Sequence, residues 1–300
     1  MNSRTTLRIA TRGSALALWQ ANWVRAELEA RGVCSELVQV STQGDRELAP
    51  FQQLRGQGFF TKAVQDVLVE DRADIAVHSL KDLPSAETPE LIIAAIPERE
   101  DSRDVLLALP DALDSSRVLG LRAGTVVGTS AVRRQAQLEA IDASLKLREL
   151  RGNVPTRIEK LRRGEYGAIM LAAAGLNRLQ LELHDLHVQA LERTQFVPAP
   201  GQGALALECR SDDAQTIALL SALESPESRL TVSAERGLMA RLEGGCQLAL
   251  GASATHTGAG LELLFWYGGR SYCITGSSVA ETINRAVLEL AVRHEEAVIS

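Results

Sequence analysis

Positive charge is concentrated between Arg133 and Arg163 in a chain whose net charge is −6. That segment contains nine basic and four acidic residues. Lys160, Arg162 and Arg163 come late in a predicted helix, where cations suit the helix dipole, and we interpret them as a solvated face. Arg133 and Arg134 instead fall in the first turn of a predicted helix, where each cation opposes the dipole by roughly 0.3–1 kcal/mol. An anion bound at that helix start would explain them.

Other arginines are predicted to lie where strands meet helices. Arg12 is in such a turn beside Ser14. Arg151 ends a predicted strand, and Arg157 falls in the first turns of the next helix. Ligands of open parallel sheets bind beyond the carboxyl ends of the strands, and guanidinium groups match carboxylates and phosphates in bidentate fashion. The chain lacks a phosphate-binding loop, and its glycine-rich run at 201–203 leads into a strand, so we favour a small molecule with several carboxylates.

Two further side chains could take part in chemistry. Asp82 follows a buried-looking strand and precedes a Leu-Pro pair. Such an aspartate commonly forms a turn, but near arginines it could stabilise a cation or transfer a proton. Cys246 follows two glycines; a lone cysteine is commonly a small buried hydrophobe, and the alternative is a nucleophile that holds a covalent group. His78 lies inside the strand and is predicted to be a hydrogen-bonded core residue.

The composition argues against several classes of protein. With 300 residues, 45% of them hydrophobic and 23% charged, the chain is long enough for two or three globular domains. Its acidic net charge argues against a general nucleic-acid binder. We find no signal-peptide core and no apolar run of membrane-spanning length. The four cysteines form no C-x-x-C pair and no histidine stands at metal-ligand spacing, so we expect no metal, no disulfide scaffold and a reducing cytosol.

Short β-rich runs alternate with helical patterns over the first two-thirds of the chain, which predicts parallel sheets with helices on both faces. The predicted strands are 7–11, 33–40, 74–79, 125–129, 145–150, 168–171 and 204–208. The main predicted helices are 15–31, 61–71, 131–140, one after Asn153, and a short one at 175–179. Ser14, Ser130 and Asn153 are predicted to cap three of them. Leu16, Trp19 and Trp23 are predicted to form the buried stripe of the first helix.

The last part of the chain is predicted to form a separate small α+β domain. It follows a hinge at 198–201 and one more strand. Ser225 is predicted to cap a helix at 226–242, with a proline at its first position. The β-rich runs and the final helix of this part are 248–254, 261–267, 272–276 and 279–294.

Five motifs follow one another along the chain, and they are Leu7-Arg8-Ile9-Ala10-Thr11-Arg12-x-Ser14, His78-Ser79-Leu80-Lys81-Asp82, Gly128-Thr129-Ser130-x-x-Arg133-Arg134, Leu150-Arg151-Gly152-Asn153-Val154-x-Thr156-Arg157 and Arg241-Leu242-Glu243-Gly244-Gly245-Cys246. In this order they resemble the motifs of the porphobilinogen deaminase (hydroxymethylbilane synthase) family. They are long and specific, and they extend from about residue 7 to residue 250. We therefore use the resemblance for further expectations about fold and function.

The resemblance implies an α/β fold with three domains. The first two resemble periplasmic-binding-protein lobes with mostly parallel sheets, and the third is the small C-terminal α+β domain. We expect domain 1 at 1–99, completed by 198–220, domain 2 at 100–197, and domain 3 at 221–300.

The resemblance also implies a transferase of porphyrin, tetrapyrrole and haem biosynthesis. Such an enzyme adds four porphobilinogen molecules, with loss of ammonia each time, to a dipyrromethane cofactor joined to a cysteine by a thioether. Water then releases the linear tetrapyrrole hydroxymethylbilane. Each pyrrole ring bears an acetate and a propionate, which matches the carboxylates expected from the arginines. We expect a cytoplasmic monomer with no nucleic-acid, membrane or metal partner.

The family's functional residues are carried over by position. Cys246 is then the attachment site and Asp82 the catalytic carboxylate, which stabilises the azafulvene-like cation and assists proton transfer. The expected cofactor-binding residues are Cys246, Lys81, Thr129, Ser130, Arg133 and Arg134. The expected substrate-binding residues are Arg12, Ser14, Arg151, Arg157 and Arg178. The chain departs from the family pattern at three positions, which are Gln57, Ala131 and Pro155.

The alternative is a non-catalytic, two-lobed binding protein that captures an anionic small molecule. Such a protein would lack the Gly-Gly-Cys loop and the third domain, and it would usually be exported. Both the loop and a third domain are predicted here, so we favour the enzyme.

Overall fold

The computed structural model describes residues 6–41, 59–86, 88–242 and 248–299, with the backbone alone at 59, 60 and 293–299. The chain divides into two compact units. The first comprises Met1–Glu100 and Ala204–Arg229, and the second comprises Asp101–Gly203 and Leu230–Ser300. The second unit thus contains most of the predicted third domain, and the division into three domains stays a prediction.

The secondary structure of the described residues alternates strands and helices, as the sequence predicts. The strands are β1 (Leu7–Arg12), β2 (Ser35–Val40), β3 (Ile75–Ser79), β4 (Leu91–Ala95), β5 (Asp104–Ala108), β6 (Val126–Gly128), β7 (Lys146–Arg148), β8 (Ala168–Ala172), β9 (His187–Leu191), β10 (Leu205–Arg210), β11 (Gly251–Thr257), β12 (Gly260–Tyr267) and β13 (Arg270–Gly276). The helices are α1 (Ala15–Glu29), α2 (Phe59–Val69), α3 (Val132–Ile141), α4 (Val154–Arg162), α5 (Ala173–Leu179), α6 (Ala214–Ser221), α7 (Pro226–Arg241) and α8 (Val279–Ile299).

Each unit contains a sheet of five described strands, and the two sheets have the same strand arrangement. The order is β2-β1-β3-β10-β4 in the first unit and β7-β6-β8-β5-β9 in the second. Within these described strands, β10 alone runs against its neighbours in the first sheet, and β5 alone does so in the second. The predicted α/β class with mostly parallel sheets is confirmed.

Three strands of these sheets were not predicted, namely β4, β5 and β9. β4 and β5 are short apolar runs, which periodicity alone cannot distinguish from buried helix. β9 lies at a sheet edge and is largely exposed, so its sequence carries little hydrophobic alternation.

The buried face of α1 differs from the predicted stripe. Ala21, Val24 and Leu28 are fully buried against β1 and β3, whereas Trp19 is 37% exposed and Trp23 only partly buried. These three positions recur at helical spacing and begin with a small residue, which allows the helix to approach the sheet closely. The prediction that Trp19 lies in the buried stripe is therefore wrong.

Predicted N-caps are confirmed at three positions and wrong at one. Ser14 Oγ accepts a hydrogen bond from Ala17 N at 3.3 Å. Asn153 Oδ1 accepts from Thr156 N at 3.0 Å, and Ser225 Oγ accepts from Ser228 N at 3.2 Å. α3, however, begins after Ala131, which offers no side-chain cap. The Ser130 hydroxyl instead bonds the backbone of Leu150, donating to its oxygen at 2.6 Å and accepting from its nitrogen at 3.1 Å.

The C-terminal part contains an antiparallel sheet of β11, β12 and β13, packed against α7 and α8. A buried carboxylate on α7 connects this part to the segment before β10. Glu235 is fully buried and accepts hydrogen bonds from Gly201 N at 2.7 Å and Ala254 N at 2.8 Å. No helix within the described ranges has the length and apolar character needed to cross a membrane.

Replacing the cap of α4 tests the contribution of local geometry to stability. Asn153→Ala leaves an N–H group of the first turn without its side-chain acceptor, and we expect it to lower the free energy of unfolding by about 1 kcal/mol. Asn153→Asp keeps an acceptor oxygen and is the matched control, with almost no loss. Urea unfolding measures both. Equal stability of the alanine and aspartate variants would contradict this role of Asn153.

Candidate active site

In the first unit, the predicted site residues lie at the carboxyl ends of two neighbouring strands. β1 ends at Arg12, and Ser14 caps the helix that follows. Lys81 and Asp82 directly follow β3. Because β1 and β3 are paired in parallel, their carboxyl ends lie at the same edge of the sheet. This is the edge at which open α/β sheets bind ligands.

A single turn of 3-10 helix, Leu80–Asp82, presents the Asp82 carboxylate to solvent. Leu80 is fully buried and Leu83 is buried, whereas Asp82 is exposed. The Leu80 N–H donates to the Ala204 carbonyl at 3.0 Å, and the Leu83 N–H donates to the Leu80 carbonyl at 3.2 Å. One hydrogen bond thus attaches the turn to Ala204, one closes it internally, and a buried leucine lies on each side of the exposed carboxylate.

Polar contacts of Ser79 and His78, the last two residues of β3, fix the end of this strand. Gln20 of α1 donates to the Ser79 hydroxyl at 2.9 Å. His78 Nε2 lies 3.1 Å from a carboxylate oxygen of Glu208, and Gln65 donates to the other oxygen at 2.9 Å. His78, Glu208 and Gln65 are all buried, so the prediction that His78 is a hydrogen-bonded core residue is confirmed.

In the second unit, predicted site residues again follow parallel strands. Thr129 and Ser130 follow β6, Arg151 comes after β7, and Arg178 lies on α5 directly after β8. β6 pairs in parallel with both β7 and β8, so these strand ends share one edge. The Thr129 N–H donates to the Arg148 carbonyl at 3.0 Å, which joins the ends of β6 and β7.

Arg133 and Arg134 are buried in the first turn of α3, and both bind the carboxylate of Asp104. Arg133 Nη1 lies 2.8 Å from Asp104 Oδ2, and Arg134 Nη2 lies 2.6 Å from Oδ1. Asp104 opens β5 and is paired with Ala172 at the end of β8, which places it at the edge where β6 and β8 end. A protein carboxylate thus provides an anion that the sequence analysis expected from a ligand. A role of the two arginines in ligand binding stays a prediction.

The environment of Asp104 keeps it ionised despite complete burial. Burial alone raises the pKa of this carboxyl group, but the charges of Arg133 and Arg134 and the hydrogen bonds from Arg133 and Gln202 lower it more strongly. The net effect is a pKa of about 2, below the ordinary value of 3.8. Burial lowers the pKa of Arg133, and Asp104 counteracts this effect.

The remaining predicted arginines differ in their surroundings. Arg178 is buried, and its Nη2 donates to the Gly203 carbonyl at 2.7 Å. Arg151 is half-buried and contacts Glu149 at 2.8 Å. Arg157 Nε donates to the Gly152 carbonyl at 2.6 Å. Arg162 pairs with Glu159 and Asp185 at the surface, in agreement with the solvated face predicted for it.

Two predicted positions fall outside the described residues, namely the attachment site Cys246 and the departure at Gln57. Sequence reasoning also missed Asp104, which the structure brings to the second unit's edge. Gln202 Nε2 donates to the Ser102 carbonyl at 2.7 Å and lies 3.2 Å from Asp104 Oδ1. A charged residue at the start of the apolar run 105–108 was the available signal for Asp104.

Comparison with known sequences decides the family. Residues 7–218 match the model for "porphobilinogen deaminase, dipyromethane cofactor binding domain". The chain belongs to the porphobilinogen deaminase family. A relative from Mycobacteroides abscessus, named porphobilinogen deaminase, is 47% identical over 83% of this chain and 79% of that protein. Another of that name from Trichlorobacter lovleyi is 44% identical over 86% of this chain and 81% of that protein.

Among solved structures, an ancestral cationic amino acid solute binding protein superposes with a TM-score of 0.48 and 13% identity. The superposition covers 73% of this chain and 88% of that one. A similarity at this level carries no inference about function.

The lowered pKa of Asp104 predicts a specific loss of stability in acid. The carboxylate contributes its full stabilisation above about pH 4 and loses it as the pH falls towards its folded-state value of about 2. The shift from 3.8 corresponds to about 2 kcal/mol. We therefore expect the difference in unfolding free energy between wild type and Asp104→Asn to narrow below pH 4. Denaturant titrations at several pH values measure it, and parallel profiles would contradict the expectation.

Proposed function

We propose that this chain is a transferase that condenses four porphobilinogen molecules, one at a time and with loss of ammonia, and releases hydroxymethylbilane. Its membership of the porphobilinogen deaminase family supports the overall reaction. The observation that carries the proposal is the exposed Asp82 carboxylate, held on an anchored turn at the sheet edge where Arg12 also lies. Tetrapyrrole, porphyrin and haem biosynthesis is the corresponding metabolic role.

The residues present suit a dipyrromethane cofactor. Its two pyrrole rings carry acetates and propionates, and the matching groups here are guanidinium, ammonium and hydroxyl donors at strand ends. The residues proposed to hold it are Lys81, Thr129, Ser130, Arg133 and Arg134, with Cys246 as the thioether attachment point. When bound, the cofactor supplies the pyrrole carbon to which the first substrate is joined.

Asp82 is the proposed catalytic residue. Its carboxylate accepts hydrogen bonds from pyrrole N–H groups and stabilises the positive charge that develops as ammonia leaves the substrate. The same oxygen atoms can accept and return a proton during each condensation. Anchoring by Leu80 and Leu83 keeps the carboxylate in place while substrates exchange.

The proposed substrate-binding residues orient the carboxylates of the incoming and growing chain. Guanidinium groups suit this task because each can bind a carboxylate through two parallel N–H donors. These residues are Arg12, Ser14, Arg151, Arg157 and Arg178. We further propose that the protein acts in the cytoplasm as a monomer.

Consumption of porphobilinogen by the purified chain is the direct test of this function. The expected result is release of ammonia and formation of a linear tetrapyrrole in a ratio of four to one. Binding of porphobilinogen without consumption would favour the alternative, a non-catalytic binding protein for an anionic small molecule.

Intact mass tests the covalent attachment at Cys246. We expect the purified protein to exceed its sequence mass by one dipyrromethane, because the thioether is stable under denaturing conditions. Cys246→Ser should lack this excess, and Cys209→Ser is a matched control that should retain it, since Cys209 is a buried strand residue. An unmodified wild-type chain that is active towards porphobilinogen would contradict the cofactor proposal.

Replacing Asp82 tests its catalytic role. Asp82→Asn preserves the size of the side chain and removes its charge and basicity, so we expect kcat to fall by about 10²–10⁴ while the cofactor mass is retained. Asp66→Asn changes another exposed carboxylate in the same unit and should leave kcat unchanged. Near-normal turnover by Asp82→Asn would refute the assignment.

A further inference from the structure

The cluster around Asp104 contains more positive than negative charge. Two guanidinium groups, on Arg133 and Arg134, share this single carboxylate. Within the described part of the chain, the other groups that they bond are neutral carbonyls. Arg133 Nη1 donates to the Val197 carbonyl at 2.7 Å, and Arg134 Nη1 donates to the Met170 carbonyl at 2.9 Å. One positive charge therefore has no partner of opposite sign among the described residues.

A second cluster, in which arginines surround one buried carboxylate, has the opposite balance of charge. In the first unit, Asp74 is fully buried and bound by Arg8 at 2.9 Å and by Arg210 at 3.4 Å. Asp71 and Asp213 also pair with these arginines, so three carboxylates surround two guanidinium groups. Asp74 precedes β3 and therefore lies at the edge opposite Asp82. At that edge the protein itself supplies more than enough negative charge.

The donors of Arg133 show where the missing anion can bind. Arg133 is only 5% exposed, and its Nη1 is used by Asp104 and Val197. Its Nε and Nη2 have no acceptor among the residues that the structure describes. The guanidinium also lies over the Phe196 ring, with 5.7 Å to the ring centroid, which restricts its orientation. These two nitrogens keep some contact with solvent, so a ligand carboxylate can reach them and form charge-assisted hydrogen bonds there.

Asp104 thus holds both guanidinium groups and sets their combined charge. Its Oδ2 binds Arg133, and its Oδ1 binds Arg134 and the amide of Gln202. Both carboxylate oxygens are thus engaged, and each guanidinium group is held at the strand edge by an ion pair.

We propose that Asp104 is a positioning residue that orients Arg133 and Arg134 and leaves the pair with one net positive charge, so that the pair accepts one ligand carboxylate through Nε and Nη2 of Arg133. This inference rests on the proposed function, in which the ligand is a pyrrole acetate or propionate. Without the Asp104 charge, the pair would be doubly positive and would retain an excess charge after that carboxylate had bound.

The test compares three holoenzymes, wild type, Asp104→Asn and Asp74→Asn. Both variants remove a fully buried carboxylate that binds two arginines, so a purely structural effect should appear in both. For each protein we would measure the thermal midpoint, the fraction carrying the cofactor mass, and kcat and KM for porphobilinogen. The kinetics would be repeated with sodium acetate added at constant ionic strength, acetate serving as a carboxylate probe.

The expected results separate the two aspartates. In Asp104→Asn, Arg133 is no longer oriented towards the ligand carboxylate, and the charge-assisted hydrogen bond between them is weakened. We therefore expect a smaller fraction of protein carrying the cofactor, or a KM for porphobilinogen raised about tenfold or more. Added acetate should lower its kcat, because the pair can then bind a second anion, and should leave the wild-type kcat unchanged. Asp74→Asn should show a lowered thermal midpoint with wild-type loading, KM and acetate response.

If Asp104→Asn does not fold, Asp104→Glu replaces it in the comparison. It keeps the charge but displaces both guanidinium groups, so a raised KM with the wild-type acetate response supports the proposal, and a wild-type KM overturns it. The proposal would also be overturned if Asp104→Asn had the same cofactor-bearing fraction, kcat and KM as Asp74→Asn. A wild-type protein that consumes no porphobilinogen would contradict the proposed function instead.

Discussion

Two buried guanidinium groups around one buried carboxylate hold the charged edge of the second unit together. Arg133 and Arg134 lie at the start of α3, where their charge opposes the helix dipole, and they tolerate burial because Asp104 is within 2.8 Å of both. This contact joins α3 to the start of β5, and Gln202 connects it to the segment that leads into β10. The position of the charged edge therefore depends on Asp104, which lies far from both arginines in sequence.

The same strand arrangement carries different kinds of side chain in the two units. Each described sheet has one strand that runs opposite to the others, so the remaining strands end at a common edge. In the first unit that edge carries Arg12 and the exposed Asp82, beside a fully buried leucine anchor. In the second unit it carries the arginine pair and the loops with Thr129 and Arg151. An exposed carboxylate and a pair of buried cations are thus supported by one kind of scaffold.

Local sequence signals predicted those features that depend on a few neighbouring residues. An N-cap is such a feature, because its side-chain oxygen accepts a hydrogen bond from a backbone N–H only three residues later in the chain. The rest of the fold is not needed for this bond, and Ser14, Asn153 and Ser225 all form it. Ser130 looks the same in sequence, but its hydroxyl bonds the backbone of Leu150, in the loop after the neighbouring strand β7. Trp19 likewise fits a helical stripe, yet the sheet contacts the face that begins at Ala21.

The sequence alone determined the α/β class, the family motifs, and the placement of Arg12, Asp82 and the arginine pair near strand ends, because these follow from local periodicity and spacing. Only the tertiary structure decided that Arg133 and Arg134 form ion pairs with a carboxylate of the protein itself, Asp104. Asp104 and Arg133 are separated by 29 residues, and their contact depends on the antiparallel pairing of β5 with β8. No local pattern encodes that pairing, since it is selected by the burial of β5 between its two neighbours. The balance of charge at the edge is therefore a property of the fold.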